Sequence, residues 1–314
     1  MSLILNLKFN KTEAVYIDEE KEIKFTVQDN GIDGYATDSI LFIHSMEKII
    51  NYYAQLNIKI DEAIVILNDK IIQNKIIIEE FCIDGIFEVK HYDFIKKKIE
   101  KNCDLNDEKI MQYEVCEYIV DNVKINEPLK LFVKEIQFVS SVVFVKKQHL
   151  INLESLFKLL KIKVVNFISN ILNDKELNLK KTNKNKVVFC YLKNNCIIYN
   201  YYVNKKIFQI KTSDFGLNII DKKIIEKFEV NIQQAEKMRQ KYSAFHVNQQ
   251  HMFSDIIFDD IKITQLFFIK TIKNQMNILY NEIKKNILDI ISIEQIIFIS
   301  SMNDNQEFIN TLSR

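Results

Sequence analysis

The predicted secondary structure of this chain follows the same order twice. Each half begins with a three-strand meander, continues with a glycine-containing loop and a helix, and later has a short apolar strand. Internal duplication of this kind predicts an α/β protein built from two related lobes. The meanders cover 3–27 and 187–213, the loops contain Gly31 and Gly34 or Gly216, the helices cover 40–53 and 217–228, and the apolar strands cover 63–67 and 296–299.

Each predicted lobe also carries an insertion. The first contains long strand patterns around a helix near 91–101, and the second is mostly helical in pattern. The predicted domains are therefore 1–69 with 149–182 for the first lobe, 70–148 for an inserted α+β subdomain, 183–227 with 286–314 for the second lobe, and 228–285 for a helical insertion in it.

Glycine is unusually scarce. The 314 residues include 4 glycines, whereas average usage is about 7% of residues. Because glycine lets a backbone approach a phosphate closely, the loops GxGxxG and GxxxxGK are excluded. The formal net charge of +1 gives no overall attraction to nucleic acid, so no nucleic-acid partner is predicted.

The cysteines predict neither a metal site nor disulfides. There are 5, none in CxxC spacing, and buried reduced thiols fit a cytoplasmic protein. A signal peptide is not predicted, because Asn6 and Lys8 interrupt the apolar N-terminal stretch. The sequence also lacks a run of about 18 apolar residues that could span a membrane.

Four segments resemble FtsA, the actin-like protein family of bacterial cell division. The stretch 30–55 is similar to the family's glycine loop and first helix, and 107–145 to its inserted subdomain, with Pro128, the chain's 1 proline, at a matching place. The segments 160–172 and 231–243 follow the family's helix-to-strand step and its "AExxK" helix. The resemblance implies an actin-like, ribonuclease-H-like two-lobed fold with an SHS2-like insertion in the first lobe.

At the positions that the resemblance matches to the family's nucleotide-binding loops, this chain has residue types of a different chemistry. Asn6 and Lys8 stand where the first meander normally has an acidic residue and a glycine, and Tyr191 stands at the aspartate of "DIGGGT". Phosphate loops need converging N–H groups unobstructed by Cβ atoms, together with a carboxylate for Mg²⁺. Ordinary ATP hydrolysis is therefore not expected, no cofactor is expected, and any ATP binding is expected to be weak. The remaining nucleotide-binding candidates are Lys193, Asn194, Asn195 and Cys196 for the second loop, and Ser300 and Ser301 for the "TGG" turn.

Glu236 and Arg239 are the acidic and basic residues of the "AExxK" match, which contact the nucleoside in the family. Arg239 is the single internal arginine of a lysine-rich chain. Two interpretations stay open: a residual ribose contact, or an ordinary ion pair on a helix surface, since the two residues are spaced i,i+3.

These observations favour a divergent, shortened FtsA-like scaffold, a pseudo-ATPase of the divisome without catalytic residues. The resemblance implies that the C-terminal tail of the tubulin-like protein FtsZ binds 228–285, with Ile263, Phe267 and Lys270 as partner-contact candidates. It further implies self-association into filaments and a cytoplasmic location at the division site, reaching the inner face of the membrane only through a partner. The alternatives are an active actin-like ATPase with unorthodox phosphate loops and a pilus-assembly relative of FtsA.

Overall fold

A computed structural model describes most of the chain: residues 2–8, 11–18, 21–33, 35–173, 179–180, 182–242, 255–258, 261–288 and 293–300. The chain divides into two compact units. The first contains 1–183 and 203–210, and the second contains 184–202 and 211–314.

The described residues form strands β1–β17 and helices α1–α7. The strands are β1 Ser2–Lys8, β2 Lys11–Ile17, β3 Glu22–Gln28, β4 Ile32–Asp33, β5 Tyr35–Ala36, β6 Glu62–Leu67, β7 Gln73–Ile86, β8 Glu108–Val120, β9 Val123–Ile125, β10 Phe132–Lys146, β11 Lys163–Ser169, β12 Lys186–Leu192, β13 Ile197–Val203, β14 Lys206–Ser213, β15 Asp255–Phe258, β16 Ile261–Thr264 and β17 Gln295–Ser300. The helices are α1 Ser39–Gln55, α2 Val89–Leu105, α3 Lys147–Leu159, α4 Asn170–Asn173, α5 Asn218–Phe228, α6 Ile232–Tyr242 and α7 Gln265–Leu288.

The first unit contains a five-stranded sheet in the order β11-β6-β1-β2-β3. The predicted meander is confirmed, because β1, β2 and β3 pair antiparallel. The apolar strand β6 then pairs in parallel with β1, and β11 pairs in parallel with β6. Leu3, Leu5 and Leu7 alternate with polar or half-buried residues, so one face of β1 packs into the core.

Helix α1 is capped at its N-terminus and hydrogen-bonded to this sheet near its C-terminus. Asp38 caps it, accepting hydrogen bonds from the N–H groups of Ile40 and Leu41 at 3.0 Å each. Gly31 has φ +65°, and a Cβ there would lie 2.4 Å from the Asp38 carbonyl oxygen, so this turn requires glycine. At the other end the buried Tyr53 donates its hydroxyl hydrogen bond to the strands of the meander.

The inserted part of the first unit is a four-stranded antiparallel sheet in the order β7-β10-β8-β9. Helix α2 covers one face of it. The core between them is apolar and centres on Phe87, Ile95, Ile99, Phe138 and Val142. This region therefore combines four strands with one covering helix.

A further four-stranded sheet has the order β14-β13-β12-β17, and its strands β12 and β17 lie in the second unit. Strand β17 pairs in parallel with β12, which repeats the relation of β6 to β1. Strands β13 and β14 are joined by Asn204 and Lys205, both with positive φ, as expected for a two-residue hairpin turn. The duplicated order predicted from the sequence is therefore present in the structure.

The second insertion differs from the prediction in one respect. It contains helices α6 and α7, but also the antiparallel hairpin β15–β16, where the pattern predicted mainly helix. Short β-branched stretches such as 255–258 and 261–264 do not last long enough for their periodicity to separate strand from helix.

We predict that Tyr53→Phe destabilises the protein by about 1–3 kcal/mol, because the carbonyl groups of Ala14 and Ile23 lose a buried donor. Urea unfolding followed by far-UV circular dichroism measures the change. Tyr52→Phe is the matched control, because the half-buried Tyr52 stacks its ring on Phe25 at 4.0 Å and should change stability by less than about 0.5 kcal/mol. Equal effects of the two substitutions would contradict this prediction.

Candidate functional site

The turn between β12 and β13, residues 193–196, is the centre of the candidate site in the second unit. The N–H of Lys193 donates to the carbonyl of Cys196 at 3.0 Å, which closes the turn. Its carbonyl groups face the beginning of α5: Leu217 N–H donates to Lys193 at 3.0 Å and Asn218 N–H to Asn194 at 2.7 Å. The first donors of this helix are therefore paired with the turn itself, whereas free helix N-terminal donors would suit an anion.

Gly216 allows this close approach of turn and helix. A Cβ at position 216 would lie 2.4 Å from the carbonyl oxygen of Asn194 and 2.5 Å from the backbone nitrogen of Cys196. These are backbone atoms of the turn, so a side chain at 216 would require the turn or the helix to move. Gly216 is therefore needed here because the backbone of the 193–196 turn packs directly against it.

The side chain of Asn194 joins the turn to α6. Its amide nitrogen donates to Glu236 Oε1 at 3.2 Å, and its amide oxygen accepts from Arg239 Nη2 at 3.4 Å. Glu236 and Arg239, the two residues of the "AExxK" match, thus both contact the 193–196 turn.

Arg239 forms its main interaction with Asp221 on α5. Its Nε donates to Oδ1 at 2.6 Å and its Nη2 to Oδ2 at 3.1 Å, a two-point ion pair. The side chains are 2% and 1% exposed. A buried pair of this kind ties α5 and α6 together, and loss of one partner would leave the other charge in the core.

The environment of Asp221 sets its proton affinity. Burial raises the pKa of this carboxyl, and the hydrogen bonds and positive charge of Arg239 offset only part of the rise. The carboxyl therefore depends on Arg239 for its ionised form.

Arg239 does not lie on the helix surface, so an ordinary surface ion pair does not describe it. Arg239 is buried and pairs with Asp221, 18 residues earlier in the chain, while Glu236 contacts Asn194. Sequence reasoning missed Asp221. The signal was its position between the apolar residues Ile220 and Ile224 of α5, all three of which are buried.

The candidates of the first unit, Asn6 and Lys8, lie in β1 opposite Glu13 and Lys11 of β2. Lys8 Nζ is 2.5 Å from Glu13 Oε2, and Lys11 Nζ is 2.8 Å from Glu13 Oε1. Burial raises the pKa of Glu13, but the hydrogen bonds and charges of the two lysines outweigh it and leave that pKa lowered. The ammonium group of Lys8 is thus paired with a carboxylate of the neighbouring strand.

The other predicted site residues lie in different places. Ser300 is the last residue of β17 and pairs with Leu192, the last residue of β12. It therefore lies at the same end of the sheet as the 193–196 turn. Asn195 and Cys196 belong to that turn, and Ser301 lies outside the described residues. Of the partner-contact candidates, Ile263 is in strand β16 and 5% exposed, whereas Phe267 and Lys270 are exposed on α7.

Comparison with known proteins identifies the fold. No family model and no curated protein matches the sequence. Among solved structures, the PilM-PilN type IV pilus biogenesis complex is similar with a TM-score of 0.64 and 8% identity, covering 99% of this chain and 84% of that one. The ethanolamine utilization protein EutJ from Carboxydothermus hydrogenoformans is similar with a TM-score of 0.52 and 8% identity, covering 100% of this chain and 81% of that one.

These similarities establish an actin-like α/β fold, as the duplicated sequence pattern and the resemblance predicted. At 8% identity they show the fold alone, and they do not show membership of the FtsA family. Among the described residues, no helix is both long enough and apolar enough to cross a membrane.

Gly216→Ala should destabilise the protein by about 1–3 kcal/mol, since the added methyl group meets backbone atoms of the 193–196 turn. Gly85→Ala is the control, because a Cβ there has its nearest neighbour at 3.8 Å and should cost nothing or add stability through the lower chain entropy of alanine. Thermal unfolding of both variants measures the difference. A tolerated methyl group at 216 would show that turn and helix are not tightly apposed.

Asp221→Leu should cost about 3–5 kcal/mol, because it leaves the guanidinium of Arg239 buried without its carboxylate. The double variant Asp221→Leu with Arg239→Met should recover most of that loss in urea unfolding. Glu226→Ala is the control on the same helix: its pair with Lys223 is solvent-exposed, so its loss should leave the stability nearly unchanged. Additive effects of the two core substitutions would argue against a coupled pair.

Proposed function

We propose that this chain is an actin-like scaffold that binds other proteins and turns over little or no nucleotide. The observation that carries the proposal is the turn at 193–196, which is hydrogen-bonded to two helices of the protein itself. Its carbonyl groups pair with the N-terminus of α5, and its Asn194 side chain pairs with Glu236 and Arg239.

The chemistry of phosphate binding supports this proposal. A phosphate loop presents several backbone N–H groups to the anion, and a nearby carboxylate holds Mg²⁺ directly or through water. In this chain, Tyr191 stands at the expected aspartate position and is 6% exposed. Asp221, a carboxylate near the turn, is paired with Arg239. Binding ATP in the usual way would therefore require breaking interactions that hold the unit together.

The class of partner is proposed from two sources. The similar PilM-PilN structure is a complex of type IV pilus biogenesis, which favours a pilus-type protein partner for a scaffold of this fold. The sequence resemblance to FtsA instead suggests the FtsZ tail as the second candidate, with Phe267 and Lys270 as contacts exposed on α7. Both partners would be bound as short peptide segments. If FtsZ is the partner, we also propose self-association and a location at the division site.

Isothermal titration calorimetry with ATP and Mg²⁺ tests the absence of turnover. We expect a dissociation constant weaker than about 1 mM and no phosphate release above that of buffer. The titration repeated with ADP, and with EDTA in place of Mg²⁺, controls for nonspecific heats. Micromolar, Mg²⁺-dependent binding with phosphate release would establish the active-ATPase alternative.

A retention assay with immobilised peptides separates the two partner candidates. A cytoplasmic peptide of a pilus-assembly protein should retain the chain if the first candidate is right, and an FtsZ C-terminal tail if the second is right. In the second case, Phe267→Ala should weaken retention by about tenfold, because it removes an exposed aromatic anchor. Ile257→Ala, also exposed in the same insertion, is the matched control. Retention by neither peptide would contradict both candidates.

A further inference from the structure

Strand β7 leaves one long edge of its sheet open. Among the described strands it pairs only with β10, although it is 14 residues long. The run Ile76-Ile77-Ile78 is β-branched, and the strand stays extended until Asp84, which has φ 46°. An open edge presents a row of backbone donors and acceptors spaced for another extended strand.

Exposed apolar side chains lie on both faces of this edge. On one face, Phe94 of α2 is 62% exposed and contacts Phe81 of β7, with ring centroids 5.9 Å apart. On the other face, Ile78 is 58% exposed. A strand added beside β7 would cover Phe94 with the side chains of one face and Ile78 with those of the other, because successive side chains alternate.

The face that carries Ile78 also has an acidic depression. It has a volume of about 190 Å³ and includes Glu80 of β7, Glu135 of β10 and Asp121 at the end of β8. No lysine or arginine is among the described residues that line it. Across neighbouring strands, facing side chains come within about 5 Å, so a basic side chain on an added strand would meet Glu80 first and then the depression.

A second copy of this chain does not suit the edge. Two copies of β7 paired antiparallel about the middle of the strand would place either Glu79 opposite Glu79 or Glu80 opposite Glu80, because directly opposite side chains lie on the same face of the sheet. Like charges directly opposite each other destabilise strand pairing. Glu79 is paired with Lys98 of α2, so it is Glu80 and the acidic depression beside it that favour a basic partner strand.

We propose that β7 is a docking edge for an extended protein segment in which basic and apolar residues alternate. The segment pairs with the backbone of 74–83, packs an apolar side chain on Phe94, and directs basic side chains toward Glu80 and the acidic depression. This inference rests on the proposed scaffold function and specifies the docking surface and the partner chemistry.

The test uses the full chain and a fluorescent peptide of about ten alternating lysine and valine residues. We expect saturable binding by fluorescence anisotropy, together with slower hydrogen exchange of the β7 amides in the complex. A glutamate–valine peptide of the same length should not bind. Phe94→Ala and Glu80→Lys should each weaken binding by about tenfold, whereas Leu159→Ala and Glu47→Lys, exposed on α3 and α1, should leave it unchanged.

Four results would overturn the proposal: absence of binding, equal binding of the acidic peptide, protection of amides outside β7, or dimerisation of the chain through this edge. The calorimetric result with ATP is independent of all four. A chain that hydrolyses ATP and still binds the lysine–valine peptide would refute the proposed function alone, and a chain that does neither would refute this inference alone.

Discussion

The buried ion pair between Asp221 and Arg239 determines how the second unit is arranged around its central turn. It joins α5 to α6, and α6 in turn holds Asn194 through Glu236 and Arg239. Two charges removed from water are stable together only with good geometry, and two-point hydrogen bonding supplies it here. The same guanidinium that could have faced a nucleoside is thereby committed to the protein interior. The proposed absence of a nucleoside contact at Arg239 follows from its pairing with Asp221.

Much of the fold could be predicted from the sequence because the relevant signals are local. The alternation of Leu3, Leu5 and Leu7, the cap at Asp38 and the order of strand and helix patterns each depend on a few neighbouring residues. Duplication strengthened these signals, since the same order appeared twice. The hairpin β15–β16 was not predicted because two four-residue strands carry too little periodicity.

The candidate site could be located from the sequence but not described. The resemblance placed the turn at 193–196 and selected Glu236 and Arg239, and the structure brings these residues together. The partner of Arg239 was missed, because the choice between Glu236 at three residues and Asp221 at 18 residues depends on how α5 and α6 pack. Side-chain direction was equally inaccessible: Lys8 could have faced an anion, yet it pairs with Glu13 on the neighbouring strand. Such pairings are set by tertiary contacts, which a single sequence does not contain.

Glycine scarcity connects the site to the rest of the molecule. In a nucleotide-binding member of this fold, glycines are needed where backbone approaches phosphate. In this chain, Gly31 and Gly216 instead stand where backbone approaches backbone, against Asp38 in the first unit and against Asn194 in the second. At both positions, the space beside the glycine is thus occupied by backbone atoms of the protein. The two glycines therefore serve contact of backbone with backbone, a use that is consistent with the proposed scaffold function because it leaves them packed against protein atoms.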